Sequence, residues 1–205
     1  MYFESNSTSS KEIFYDYVEK AKEANKEAQM TSCNGRSQVF DYDLILGESL
    51  EKYILDKVNN DLPTNYTAEK IEYQSDDYYK YNCVDILIKK NGVPHFLIDA
   101  KCLLCYMKKS LQFFNIPPEN NIAINYYSIL EYQKNTLPTF LLVYNDTDAE
   151  GNIAGFYVKN VKSIKLEDKY ILQQKGKVAK GSYKYNLDNR TFKYYSSLDD
   201  LFKVK

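Results

Sequence analysis

No stretch of this 205-residue chain approaches the roughly 18 consecutive apolar residues of a membrane-spanning helix. Met1 to Ser10 carry neither the basic nor the apolar segment of a secretory signal, so an intracellular, cytoplasmic protein with no membrane partner is expected. Glycine and proline number only 7 and 5, and neither an internal repeat nor a low-complexity linker is present. Hydrophobic residues make up 44% and charged residues 27%, ordinary proportions that exclude wholesale disorder and fibrous repeats. There are four cysteines and one histidine. Cys102-Leu-Leu-Cys105 has the spacing of a metal or redox pair, but neither a second such pair nor a pair of histidines completes a zinc site. Reduced, mostly buried thiols are therefore expected at Cys33, Cys83, Cys102 and Cys105. A chain of this length buries about 70% of its extended surface and folds without disulfides or metal.

The net charge of −1 conceals a split: residues 1–100 hold 11 Lys/Arg against 18 Asp/Glu, and residues 101–205 hold 16 against 10. Between Lys159 and Lys184 there are eight lysines and two acids, Glu167 and Asp168. Such a region is either a solvated lysine-rich surface or one that meets phosphates. Lys159, Lys162 and Lys165 are its candidates for nucleic-acid contacts.

Apolar spacing predicts helices over residues 11–30 and 42–58, the second with Leu46, Leu50, Tyr53, Ile54 and Val58 on one stripe. Strands are predicted over 67–74, 83–89 and 95–101, the last two joined by a turn at Asn91-Gly92. Residues 121–134 return to helical period, and Thr139 to Tyr144 read as a strand. Weak alternation to about Tyr195 implies further strands, and Ser197 is placed to cap a last helix. The order defines an α/β (α+β) domain with a central mixed sheet flanked by helices.

Asp85, Asp99 and Lys101 stand out because both acids lie in otherwise apolar strands. A buried carboxylate is costly unless it is paired or binds a cation. If Asn91-Gly92 were a plain two-residue loop, Asp85 would oppose Ile98 and Asp99 would point to the other face. A three-residue loop or one bulge sets Asp85 opposite Asp99 instead. The side-chain pattern selects the second register. Val84, Ile86, Ile88, Phe96, Ile98 and Ala100 then form an apolar face, while Asp85, Leu87, Lys89, His95, Leu97, Asp99 and Lys101 share the opposite one. Pro94, which cannot donate to a ladder, suits an irregularity there. Two facing carboxylates repel unless a cation intervenes. Oxygen ligands suit Mg²⁺ or Mn²⁺, which share phosphate oxygens with substrates. Lys101 would orient or help deprotonate a metal-bound water. The alternative is a plain Asp–Lys ion pair, with Asp85 capping a turn.

Asp85, followed fourteen residues later by Asp99-Ala100-Lys101 closing an apolar strand, resembles the PD-(D/E)xK phosphodiesterase superfamily, with its restriction-endonuclease-like fold. The resemblance covers about residues 42–145. Residues 1–41 stand outside it as an N-terminal helical extension, and 146–205 as a basic β-rich tail packed on the core of a single domain. Val84 replaces the family's usual proline, and Asp99 stands where Glu is more frequent. Gly47-Glu48-Ser49-Leu50-Glu51 matches a helix motif that points to Glu51 as a further metal ligand. Glu48, one turn earlier, is the alternative. Gln133 is an accessory candidate on the helix after the lysine. His95, facing the site in the chosen register, is expected to pack there rather than ligate.

The resemblance implies a Mg²⁺- or Mn²⁺-dependent endonuclease, with DNA favoured over RNA. Water would attack the phosphate in line, leaving a 5′-phosphate and a 3′-hydroxyl. Asp85, Asp99 and Glu51 would bind metal and Lys101 would activate the water. A homodimer is expected by analogy. The rivals are an RNA endonuclease and a non-catalytic nucleic-acid-binding or protein-interaction module that keeps the fold.

Overall fold

The computed structural model describes residues 38–61, 65–103, 108–147, 153–174 and 182–203, with residues 16, 17, 19, 20 and 23. Those five are helical; the rest of the helix expected over 11–30, with Cys33 and Cys105, lies outside the described residues. Helix α1 (Gln38–Asn60) buries the predicted stripe of Leu46, Leu50, Tyr53, Ile54 and Val58. Asn59 clamps its end to the next strand, donating to the Ala68 carbonyl at 3.0 Å and accepting from the Ala68 N–H at 2.8 Å. None of its described residues, nor any other described helix, is long and apolar enough to cross a membrane.

A mixed six-stranded sheet forms the centre. It contains β1 (Tyr66–Lys70), β2 (Ile86–Lys90), β3 (Val93–Leu103), β5 (Thr139–Thr147), β6 (Ile153–Asn160) and β9 (Lys193–Tyr195). They lie in the order β1-β2-β3-β5-β6-β9, antiparallel throughout except that β5 runs parallel to β3. Helix α1 and the terminal helix α5 (Leu198–Lys203) cover one face, packing on Ile86, Ile88, Ile98, Ala100 and Leu142. On the other face, α4 (Tyr126–Gln133) and a second sheet pack on Leu87, Leu97, Leu141 and Val143. That second, antiparallel sheet has the order β4-β8-β7, with β4 at Asn121–Asn125, β7 at Ile171–Gln174 and β8 at Ser182–Asp188. Two short helices, α2 (Asp76–Lys80) and α3 (Ser110–Phe114), lie in connections. The fold is thus α+β, as the element pattern predicted. The residues beyond 145 supply β6 and β9 to the main sheet and β7 and β8 to the second.

Two element boundaries depart from the sequence reading. Residues 121–125, read as helix, form β4, because Ile122 and Ile124 find buried partners across the ladder in Leu187 and Tyr185. Apolar residues at i and i+2 suit either state in so short a run, and tertiary pairing decided it. The helix starts only after Asn125, whose side chain accepts from the Tyr127 N–H at 3.0 Å. The strand expected over 67–74 stops at Lys70 and gives way to a turn with Gln74 at φ 62.

Candidate active site

The β2–β3 hairpin sets the site. Asn91 and Gly92 both occupy the left-handed region, with φ 51 and 77, as a two-residue type I′ turn requires. Next to the turn Lys90 pairs with Val93 and Lys89 with Pro94, but further on Ile88 pairs with Phe96 and Ile86 with Ile98. His95 is therefore the extra residue of a bulge. That single insertion produces the register that puts Asp85 level with Asp99. It also removes His95 from the site, correcting the expectation: the imidazole is exposed at the turn end, with Tyr66 and Phe96 rings at 6.2 and 5.5 Å.

Asp85 stands at a bend one residue before β2 rather than within the ladder. Its carbonyl accepts the Ile71 N–H at 2.9 Å, and Oδ2 accepts the Ala100 N–H at 2.9 Å. The approach to it is tight: Asn82 and Cys83 both adopt positive φ, 55 and 63. A buried amide holds this turn in place. Asn135 donates to the Tyr81 carbonyl and to Thr139 Oγ1, each at 3.1 Å, and accepts from Asn82 Nδ2 at 2.6 Å. Cys83 is exposed rather than buried, because the left-handed turn lifts it off the sheet, and Cys102 is half-buried.

Asp99 is completely buried. Oδ1 accepts Lys101 Nζ at 2.8 Å and the Tyr132 hydroxyl at 2.8 Å, while Oδ2 is buried with no partner. Lys101 also lies 3.6 Å from Asp85 Oδ2 and donates to the Ala100 carbonyl at 3.1 Å. Burial, with the Asp85 carboxylate close by, raises the Asp99 pKa to about 7 against the pull of Lys101. Burial pulls the Lys101 pKa down, yet the carboxylates of Asp99 and Asp85 outweigh it, and the net shift is upward. Lys101 is thus a firmly protonated ammonium spanning two acids.

Glu51, on α1, is mostly buried and pairs with Lys70 at 3.0 Å. Its pKa is raised by burial and by Asp85, so its carboxylate belongs to the same electrostatic cluster. Glu48, the alternative, is exposed. Gln133 is engaged elsewhere: its Nε2 donates to the carbonyls of Val161 and Ile164 at 3.2 and 2.9 Å, tying α4 to a 3₁₀ turn at Val161–Ser163. Lys159, Lys162 and Lys165 do not join the cluster. Lys159 and Lys165 line a separate cavity, and Lys162 is exposed.

Two residues were not singled out from the sequence. Tyr132 shares the buried side of α4 with Ile129, and an i, i+3 apolar pair containing a hydroxyl was the available signal. Lys184, half-buried on β8, has its pKa lowered by burial and secondarily by the charge of Lys101, which puts a second amine within electrostatic reach. Its position depends on the β4–β8 pairing, which the sequence reading did not contain. Among the described residues no group of three or more His, Cys, Asp or Glu converges as a metal cage. Asp85 and Asp99 form a pair, and Glu51 is held by Lys70. No family model, curated protein or solved structure matches the chain.

Proposed function

We propose that this protein is a metal-dependent nuclease that hydrolyses phosphodiester bonds, with DNA as its substrate and a PD-(D/E)xK-like site. The observation that carries the reading is the pairing of two carboxylates, one wholly buried on β3 and one at the bend that leads into β2, about a single lysine. The order of elements from α1 through β5, with β3 and β5 parallel, supports it.

The donor set fits Mg²⁺ or Mn²⁺. Asp99 Oδ2 is a buried oxygen without a partner, and Asp85 and Glu51 add hard oxygen ligands. Mg²⁺ is commonly held by one or two carboxylates, with waters and substrate phosphate completing its shell. Bound there, the ion would polarise a phosphoryl oxygen and acidify a water. Protonated Lys101 suits charge neutralisation and water orientation rather than proton abstraction. Tyr132 holds Asp99 in place, and Lys70 restrains Glu51 beside it.

One observation favours a second reading, a non-catalytic nucleic-acid-binding module: Lys101 already bridges the acid pair, and among the described residues no group of three or more His, Cys, Asp or Glu converges. Digestion of supercoiled plasmid, linear and single-stranded DNA with Mg²⁺ or Mn²⁺ and with EDTA separates them, with labelled RNA in parallel. Metal-dependent cleavage abolished by Lys101→Ala and by Asp99→Ala is expected. DNA bound equally well in EDTA, with no cleavage of DNA or RNA, would establish the binding module. Cleavage of RNA alone would transfer the same site to the other substrate.

A further inference from the structure

A cavity of about 490 Å³ opens beside β6 and β8, bordered by the turns at Val161–Ser163 and Asn189–Thr191. It shares no lining residue with the Asp85–Asp99–Lys101 cluster. Five charged side chains line it: Lys159, Lys165, Glu167, Asp188 and Arg190. Both acids are already committed. Asp188 takes Arg190 in a two-pronged contact at 2.6 and 2.9 Å, and Glu167 pairs with Lys169 at 2.8 Å. Neither Lys159 nor Lys165 has a carboxylate at ion-pair distance among the described residues, and with Arg190 the three cations that line the cavity outnumber its two acids.

Lys159 is also placed in advance. Its half-buried ammonium donates to Thr191 Oγ1 at 2.8 Å and to the Thr191 carbonyl at 3.2 Å, and it lies 5.3 Å from the centre of the Phe192 ring. Burial lowers its pKa, outweighing the opposite pull of Asp188. The same cavity is lined by the half-buried ring of Tyr170, which stands edge-on, at 6.0 Å, to the buried ring of Tyr185. Its volume falls within the roughly 300–1,000 Å³ typical of small-molecule sites.

We infer that this cavity is a binding site for a 5′-phosphorylated nucleoside, with the phosphate on Lys159 and Lys165 and the base against Tyr170. The ligand is either a free nucleotide or the 5′-phosphate end of a strand. An aromatic wall accepts any base, so little base preference follows. The inference stands whether or not the carboxylate pair catalyses hydrolysis.

Calorimetric titration of the full-length protein in EDTA tests it. The probes are a nucleoside 5′-monophosphate, inorganic phosphate, and a tetranucleotide with and without a 5′-phosphate. The mononucleotide should bind more tightly than inorganic phosphate. Lys159→Met should weaken it at least ~10-fold, as loss of a charge-assisted contact implies, while Lys101→Ala leaves it unchanged. Competition by the 5′-phosphorylated tetranucleotide, but not by its 5′-hydroxyl form, would identify a strand end; binding of the mononucleotide alone would identify a free nucleotide. Lys165 is exposed and contributes only its carbonyl to the fold, accepting from Tyr185. Lys165→Met therefore keeps the test open if Lys159→Met misfolds. No binding of either nucleotide form, equal affinity for inorganic phosphate, or loss with Lys101→Ala alone would overturn the assignment. Cleavage by the wild type with an empty cavity would sink this site and leave the nuclease intact.

Discussion

Tyr132 donates its phenolic hydroxyl to Asp99 Oδ1 at 2.8 Å, joining residues 33 apart in the chain inside the core. The bond fixes a buried carboxylate that would otherwise have only Lys101 to hold it, and it helps the charged form. Replacing the hydroxyl in Tyr132→Phe should destabilise the protein by about 1.5–3 kcal/mol, the range for a hydrogen bond to a charged group. It should also push the Asp99 pKa further up and shift the pH–rate profile of cleavage toward higher pH. Urea unfolding and the pH profile measure the two effects, and wild-type values in both would refute the role.

On the proposed role of Asp99 as a metal ligand, metal binding and stability should share a pH dependence. Its pKa is raised in the folded protein, from the ordinary 3.8 to about 7, so between these values the folded state holds the extra proton. Stability contributed by this group therefore falls as pH rises through the window. Relative to wild type, Asp99→Asn should gain stability as pH rises from about 4 to about 7, since it never acquires the buried charge. A cation competes for the same oxygen, so Mg²⁺ affinity should fall roughly tenfold per pH unit below about 7. Thermal melts with and without Mg²⁺ report both. Equal stabilisation of wild type and Asp99→Asn by Mg²⁺ would remove Asp99 from the ligand set.

Asn135 connects helix α4, strand β5 and the turn that delivers Asp85. Asn135→Ala leaves the Tyr81 carbonyl and the Asn82 side-chain amide without the partner Asn135 supplies, and the Thr139 hydroxyl with only its 3.3 Å bond to the Leu137 carbonyl. A loss of about 1–3 kcal/mol is expected from unsatisfied polar groups. Faster hydrogen exchange should appear at the Cys83 amide, which donates to the Tyr78 carbonyl at 2.7 Å. Unaltered exchange there would show that the left-handed turn holds itself.

His95 and Cys83 both lie near the site in sequence but have no place in the acid cluster. His95→Ala should leave cleavage at the wild-type rate. Cys83→Gly should be neutral or stabilising by up to about 1 kcal/mol, because glycine adopts φ 63 without steric penalty. A large loss of activity in either variant, measured on supercoiled DNA, would return that residue to the site.

Local pattern determined a good deal of this protein. The stripe from Leu46 to Val58 made α1, and the apolar alternation of Ile86, Ile88, Ile98 and Ala100 chose the hairpin register. That register brought Asp85, Asp99 and Lys101 together, because a one-residue slip would have placed polar groups against α1. Tertiary structure decided the rest, wherever a residue's environment depended on a partner far along the chain. Residues 121–125 became a strand because β8 was there to pair with them. Gln133 went to a backbone turn near residue 161 while Tyr132 reached Asp99, a choice set by the packing rotation of α4 that its short, mixed stripe left open. Which insertion formed the bulge was likewise a matter of packing, and it carried His95 away from the acids. Charge composition marked a lysine-rich region, but only the folded chain separated Lys184, within electrostatic reach of Lys101, from Lys159 and Lys165, which line a separate cavity.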